Sequence, residues 1–279
     1  MKLSVIIKTS EEKESDNMIL IKLPLIAFLL LRKNISATPC SMIEEDIYTM
    51  DCTYSNLNNV PLLQSSIPIK SLDLSNNQLT KLTKLEWKTY TSLEVLYLSA
   101  NIIETIESDA FSDLKKLKYL DLSYNNLGYI PSAMFSENSA LETVKLRRNP
   151  ILNIPQNLPF LNSQSLTSLD LSSCQLTSIY PSTFSQLPHL RYLDLSHNKL
   201  TEIESKAFNM LNELTALDLR NNVWNCDCRI VDVLNWVTQN NRSLNVHIMH
   251  APVKCLDKGR YKILWTSAKK DQICQLKDL

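Results

Sequence analysis

A chain of 279 residues with 29 basic and 29 acidic side chains has no charge excess to hold a polyanion, which argues against nucleic acid as the partner. Its two glycines, Gly128 and Gly259, exclude a glycine-rich phosphate loop. Composition leaves a binding scaffold as a better reading than a nucleotide-using enzyme.

The predicted elements begin with a polar stretch over residues 1–17, including Lys8-Thr9-Ser10-Glu11-Glu12-Lys13-Glu14, which is unsuited to the start of a secretory leader. Met18 then opens an apolar run through Leu31, shorter than the roughly 20 residues of a membrane span. This suits a signal h-region starting at Met18, with Ser36-Ala37 as the cleavage edge. The cations Arg32-Lys33 after the run keep an uncleaved signal anchor as the alternative. We therefore assign 1–37 to an N-terminal extension and signal peptide. No second apolar segment occurs between there and Leu279, so the mature chain is expected to lack a membrane span and to be secreted.

Residues 38–68, with Cys40 and Cys52, form an N-terminal cap on a block of repeats. From Ile69 the pattern L-x-x-L-x-L-x-x-N-x-L recurs at 24 or 25 residues, starting at Ile69, Leu93, Leu117, Leu141, Leu166, Leu190 and Leu214. Such a period marks a leucine-rich repeat solenoid over 69–221. Positions one, four and six are apolar, as in Leu117, Leu120 and Leu122. The local period of two predicts a short strand with one buried face, which must stack on its neighbours into a parallel sheet. Asn77, Asn101, Asn125, Asn149, Asn198 and Asn222 hold the ninth position, where an amide satisfies backbone groups at a turn. Across the repeat, Leu82, Ile106, Ile130, Ile154, Ile179 and Ile203 supply an aliphatic row. Trp87, Phe111, Phe135, Phe160, Phe184 and Phe208 supply an aromatic spine beneath an irregular or 3-10 convex side. Cys174 takes the ninth position of the fifth repeat; it reads as a small buried thiol or, in a secreted chain, as an intermolecular disulfide.

Residues 222–275 form a C-terminal cap and 276–279 a tail. Its cysteines are Cys226, Cys228, Cys255 and Cys274; the one-residue gap in Cys226-x-Cys228 is too short for a usual zinc pair. Cysteines gathered at both ends of a solenoid indicate disulfide-stapled caps and an oxidising compartment. His247-Ile248-Met249-His250 sits in a strand-like sequence that would turn the two rings to opposite faces, so no metal is expected. Asn241-Arg242-Ser243 is a glycosylation sequon.

These features together resemble the extracellular leucine-rich repeat superfamily, including Toll-, Slit-, chaoptin- and connectin-like proteins. The resemblance covers about residues 40–275, with Asp51-Cys52-Thr53-Tyr54-Ser55-Asn56-Leu57-Asn58-Asn59-Val60-Pro61 similar to the N-terminal cap. Asn222-Val223-Trp224-Asn225-Cys226-Asp227-Cys228, Leu234-Asn235-Trp236, Cys255 and Cys274 are similar to the C-terminal one. It implies an α/β solenoid: a leucine-rich repeat horseshoe with a parallel sheet on its concave face and disulfide-capped ends. It further implies the bridges Cys226–Cys255 and Cys228–Cys274, leaving Cys40 to Cys52. The N-terminal cap has two cysteines where the family's fuller form has four.

No nucleophile elbow, paired acid cluster or His-Glu-x-x-His occurs, so neither an enzyme nor a cofactor is expected. Recognition is expected on the concave sheet, at positions three, five, seven and eight. Asp73, Asp121, Asp170, Asp194 and Asp218 hold position five and read as solvated filling. The fourth repeat departs from this with Lys145, Arg147 and Arg148, near Tyr97, Tyr119, Tyr124 and Tyr192. Tyr and Arg concentrate binding energy at interfaces, so these seven are the candidate site for an extracellular protein or glycan. The competing reading pairs Lys145 and Arg147 with Asp121 and Asp170 across the sheet. Seven strands about 4.8 Å apart make too small a sheet for a standard interface, so a partner must also touch loops or caps. Self-association, as a matrix or adhesion component, and a truncated receptor ectodomain are the alternative functions.

Overall fold

The computed structural model describes residues 40–43, 46–63, 67–152, 154–225, 229–230, 232–233, 235–236, 247–248, 253–257 and 260–264, all within one compact unit, Pro39–Leu279. The expected signal segment, Cys226, Cys228, Cys274, Asn241 and His250 lie outside the described residues, as does the side chain of Cys255.

Each repeat contributes the strand its alternation predicts. In chain order the strands are β1 (Ser41–Ile43), β2 (Asp46–Asp51), β3 (Ser71–Asp73), β4 (Lys81–Leu82), β5 (Val95–Tyr97), β6 (Thr105–Ile106), β7 (Tyr119–Asp121) and β8 (Thr143–Lys145). They continue with β9 (Ser168–Asp170), β10 (Tyr192–Asp194), β11 (Ala216–Asp218), β12 (Trp224–Asn225), β13 (His247–Ile248), β14 (Val253–Asp257) and β15 (Arg260–Leu264). The main sheet runs β1-β2-β3-β5-β7-β8-β9-β10-β11-β13 and is parallel from β2 onward. Its fourth-position residues stay in one register from Leu72 through Leu96, Leu120, Val144, Leu169, Leu193 and Leu217. All seven are fully buried while the residues beside them are half-exposed, apart from the buried Asp218. The sheet is thus ten strands wide, not seven, because the caps extend it at both ends.

The turn out of each strand is built three ways. In five repeats the fifth-position Asp accepts the backbone N–H two residues on, at 2.8 to 3.0 Å, as from Asp73 to Ser75 and from Asp218 to Arg220. These aspartates are turn-forming groups, which corrects their reading as plain solvated filling. The seventh position is largely closed: Ser75, Ser123, Ser172 and Ser196 are buried, although the pattern placed them outward. The eighth residue is left-handed in every repeat, with φ from 53° to 59° at Asn76, Ala100, Tyr124, Arg148, Ser173, His197 and Asn221. The ninth-position amides then clamp successive turns. Asn125 Nδ2 donates to the Leu98 and Leu122 carbonyls at 2.9 and 3.0 Å, and its Oδ1 accepts the Ile103 N–H at 3.0 Å.

Cys174 occupies that ladder fully buried, its Sγ donating to the Leu146 carbonyl at 3.2 Å. Burial pushes its thiol up to about 12, so it stays protonated and out of reach, contrary to an intermolecular disulfide. The convex side carries 3-10 turns at Lys84–Trp87 and Ser205–Phe208 and a two-stranded β4–β6 ladder. The aliphatic and aromatic rows are buried as expected. The rings, however, pack as two stacks, not one spine. Trp87, Phe111 and Phe135 have centroids 5.8 and 6.0 Å apart; Phe184, Phe208 and Trp236 are 6.4 and 5.3 Å apart. Phe160, between them, is buried without a ring partner among the described residues.

At the N-terminal end β1 and β2 form an antiparallel pair closed by the Cys40–Cys52 disulfide, as expected, and both sulfur-bearing side chains are buried. At the other end β12, β14 and β15 form a small sheet that sets Cys255 opposite Trp224. His247 lies on β13, as its strand-like sequence suggested.

Candidate ligand-binding face

Residues at positions three and five of neighbouring repeats stand side by side because the sheet is in register. That register puts Tyr97 beside Asp121, Asp121 beside Lys145, and Lys145 beside Asp170. Tyr97 and Tyr119 meet at 5.2 Å between ring centroids, and the Lys145 Nζ lies 5.3 Å from the Tyr119 centroid. A hydrogen bond to Tyr119 holds the Lys145 ammonium above its ordinary pKa, with Asp121 and Asp170 adding to the effect. One turn along, the Arg148 guanidinium carbon lies 5.1 Å over the Tyr124 ring, and both residues are exposed. Tyr124 and Arg148 share the left-handed eighth position, which holds their side chains at equivalent places on consecutive turns. Arg147 is exposed at position seven, where the flanking repeats have buried serines.

Six of the seven candidate residues therefore gather on β5, β7, β8 and the turns after them. Tyr192 does not join them. It lies on β10, separated from Thr143 of β8 by Ser168, and its hydroxyl reaches Asp194 Oδ2 at 3.3 Å. Burial and the neighbouring carboxylates push its pKa up to about 12. The rival ion-pair arrangement is not formed: among the described residues no salt bridge joins Lys145 or Arg147 to Asp121 or Asp170. Asp121 and Asp170 commit one oxygen each to their own turns, and Lys145 turns to the Tyr119 face.

Two features of this face escaped the sequence. Asp218 is buried and pairs with Arg220, whose Nη2 comes within 2.5 Å of its Oδ2. Its signal, an Asp with an Arg two residues on, is masked by the aspartate row it belongs to. Burial, with repulsion from Asp170 and Asp218, also raises the carboxyl of Asp194. Among the described residues no group of three or more His, Cys, Asp or Glu side chains is placed to hold a metal ion.

The family described as "Leucine rich repeat" matches residues 91–151 and 164–223, and a second model of that description matches 68–88. Toll-like receptor 2 of Macaca mulatta is 41% identical over 59 residues, which is 21% of this chain and 7% of that receptor. A probable glycoprotein hormone G-protein coupled receptor of Anthopleura elegantissima is 35% identical over 82 residues, 28% of this chain and 9% of the receptor. The matched stretches thus span under a tenth of these relatives. Among solved structures, human 5T4 (Wnt-activated inhibitory factor 1, trophoblast glycoprotein) superposes with a TM-score of 0.50 at 25% identity, covering 75% of this chain and 88% of that one. Repeat period, in-register parallel sheet, amide ladder and these matches agree that the chain belongs to the leucine-rich repeat superfamily.

Proposed function

We propose that the protein is a non-enzymatic recognition module acting outside the cell, which binds an extracellular protein or glycan through the concave face and its flanking loops. The superfamily serves protein recognition in general, and the single observation that carries the reading here is the Tyr97–Tyr119–Lys145 and Tyr124–Arg148 cluster. The turn itself does not require it, since the first repeat builds the same left-handed turn from Asp73, Ser75, Asn76 and Asn77. The Cys40–Cys52 bridge supports an oxidising compartment. Among the described residues no helix is long and apolar enough to cross a membrane. Ten strands spaced about 4.8 Å apart and about 10 Å long still offer less than the roughly 800 Å² per partner of a standard interface. The turns bearing Tyr124, Arg147 and Arg148 are therefore part of the contact.

The matched relatives are receptors, which favours a receptor ectodomain as the second reading. Self-association through Cys174 is disfavoured by its burial. The test is a display screen of extracellular proteins and glycans against the chain, repeated with the double variant Arg147→Glu, Arg148→Glu. We expect the variant to unfold at the wild-type temperature and to lose the partner. Undiminished binding by the folded variant would refute this site.

A further inference from the structure

The five arginines whose side chains the structure describes, Arg147, Arg148, Arg191, Arg220 and Arg229, divide into two groups. Arg191 bonds Glu213 through two nitrogens at 2.8 and 3.0 Å, Arg220 grips Asp218, and Arg229 pairs with Glu202. Arg147 and Arg148 have no carboxylate: among the described residues neither guanidinium has a hydrogen-bond acceptor or an ion-pair partner. Arg148 uses only its flat face, against Tyr124, which leaves its in-plane N–H donors unused. Two exposed guanidiniums on consecutive residues without acceptors, where Arg191, Arg220 and Arg229 each have a carboxylate, form an incomplete recognition unit. What completes it is planar and anionic, because a guanidinium fork matches a carboxylate or an oxyanion in two parallel bonds.

The surroundings decide between a protein carboxylate and a sulfated polysaccharide. The positive stripe is one strand wide. It runs along Lys145, Arg147 and Arg148, with Asp121 in register on one side and Asp170 on the other. Asp194 and Asp218 extend the acidic row over the next two strands. From β7 to the turn after β11, the face-lining positions hold four carboxylates, Asp121, Asp170, Asp194 and Asp218, against the four cations Lys145, Arg147, Arg148 and Arg220. A surface so balanced has no field to gather a polyanion, and a charged chain crossing the sheet would meet aspartates within one strand spacing of about 4.8 Å. A single carboxylate fits the stripe without that repulsion. Beside it, the half-buried Tyr97–Tyr119 pair and exposed Tyr124 offer ring faces to an apolar or aromatic neighbour.

We propose that the concave face recognises an exposed Asp or Glu side chain on a protein partner, held by Arg147 and Arg148 and flanked by an apolar or aromatic residue seated on the tyrosines. The inference rests on the concave-face reading above and deepens it.

The experiment pans a random peptide library displayed on phage against the full chain and counter-selects on the Arg147→Glu, Arg148→Glu variant, with Lys145→Gln as a milder second variant. Heparin is the competing probe. We expect enriched peptides to share an Asp or Glu next to an aromatic or aliphatic residue. Changing that acid to its amide should weaken binding at least about tenfold, the scale of one charge-assisted bond of about 1.5–3 kcal/mol. Heparin should neither bind appreciably at physiological salt nor compete. Peptides lost on the variant but lacking a shared acid would overturn the carboxylate inference and leave the face standing. Peptides held equally by both variants, or no enrichment over the variant, would overturn the face as well. Tight heparin binding abolished by either variant would replace the protein carboxylate with a sulfated glycan.

Discussion

The ladder position of Cys174 allows a stability prediction to be worked through from its hydrogen bonds. An amide rung makes at least three: Asn198, for instance, donates to the Leu171 and Leu195 carbonyls at 2.9 and 3.0 Å, more distantly to that of Ser196, and accepts the Leu176 and Cys174 N–H groups at 3.0 and 2.9 Å. Cys174 makes one close contact, from its thiol to the Leu146 carbonyl at 3.2 Å, and a longer approach to the Ser172 carbonyl at 3.6 Å. It has no amide oxygen for the Ile151 N–H, which bonds the Asn149 carbonyl two residues back at 2.9 Å instead. Cys174→Asn therefore adds up to two neutral hydrogen bonds at about 0.5–1.5 kcal/mol each. Against this stands the larger amide, yet Asn149 and Asn198 fit the same site one repeat away at 1% and 6% exposure. We expect a net gain of about 1 kcal/mol, or roughly 2–4 °C in Tm for a body of this size. The assay is thermal and urea unfolding of the single variant beside Asn125→Cys, which strands the buried Ile103 N–H and should lose about 1–3 kcal/mol. A fall in Tm for Cys174→Asn would show that the fifth rung is shaped around sulfur and refute the transfer of ladder geometry.

Three further outcomes are expected from the same structure. Phe135→Ala removes a buried ring stacked 6.0 Å from Phe111 and should cost about 3–5 kcal/mol by chemical denaturation. Ala100→Gly relieves a left-handed φ of 54° and, after the added freedom of the unfolded glycine, should raise stability by about 0.5–1 kcal/mol, read as a higher urea midpoint. Asp194→Asn keeps an oxygen for the Ser196 N–H while removing a carboxylate whose folded pKa is raised by burial and by Asp170 and Asp218. A raised carboxyl binds its proton more readily folded than unfolded, so its ionisation destabilises the fold as pH rises through the carboxylate range. The variant should thus melt higher than wild type at neutral pH, and the difference should vanish in acid; a gain independent of pH would contradict the assignment.

How much of the molecule is legible in the sequence depends on whether a residue answers to its own repeat or to the next one. The strand positions, amide ladder and aromatic row come from one repeat's need to bury its face, so their period alone locates them. The Tyr119–Lys145 contact joins residues 26 apart, and it depends on in-register pairing, which the common repeat length makes predictable. The fate of the aspartates is harder to read. Whether Asp170 turns to Lys145 or to the Ser172 N–H is a competition between an exposed ion pair and a local turn, and the local bond is the one formed. The left-handed eighth residue is hidden because glycine, its usual marker, is missing from it.

The fourth repeat concentrates the departures on both faces. It runs 25 residues, from Leu141 to Ser165, and Phe160 on its convex side leaves the ring stacks of its neighbours. The thiol of Cys174, in the next repeat, then weakens the amide ladder at the same place. None of this reaches the strands: Thr143, Val144 and Lys145 remain opposite Ser168, Leu169 and Asp170 without a slip. A one-residue insertion is absorbed where the backbone is irregular, since shifting a strand by one would send every buried side chain to the wrong face. The concave face is thereby insulated from changes on the convex side. The same repeat can carry an irregular back and a fixed arrangement of Lys145, Arg147 and Arg148, and substitutions that test the core need not disturb the residues that test binding.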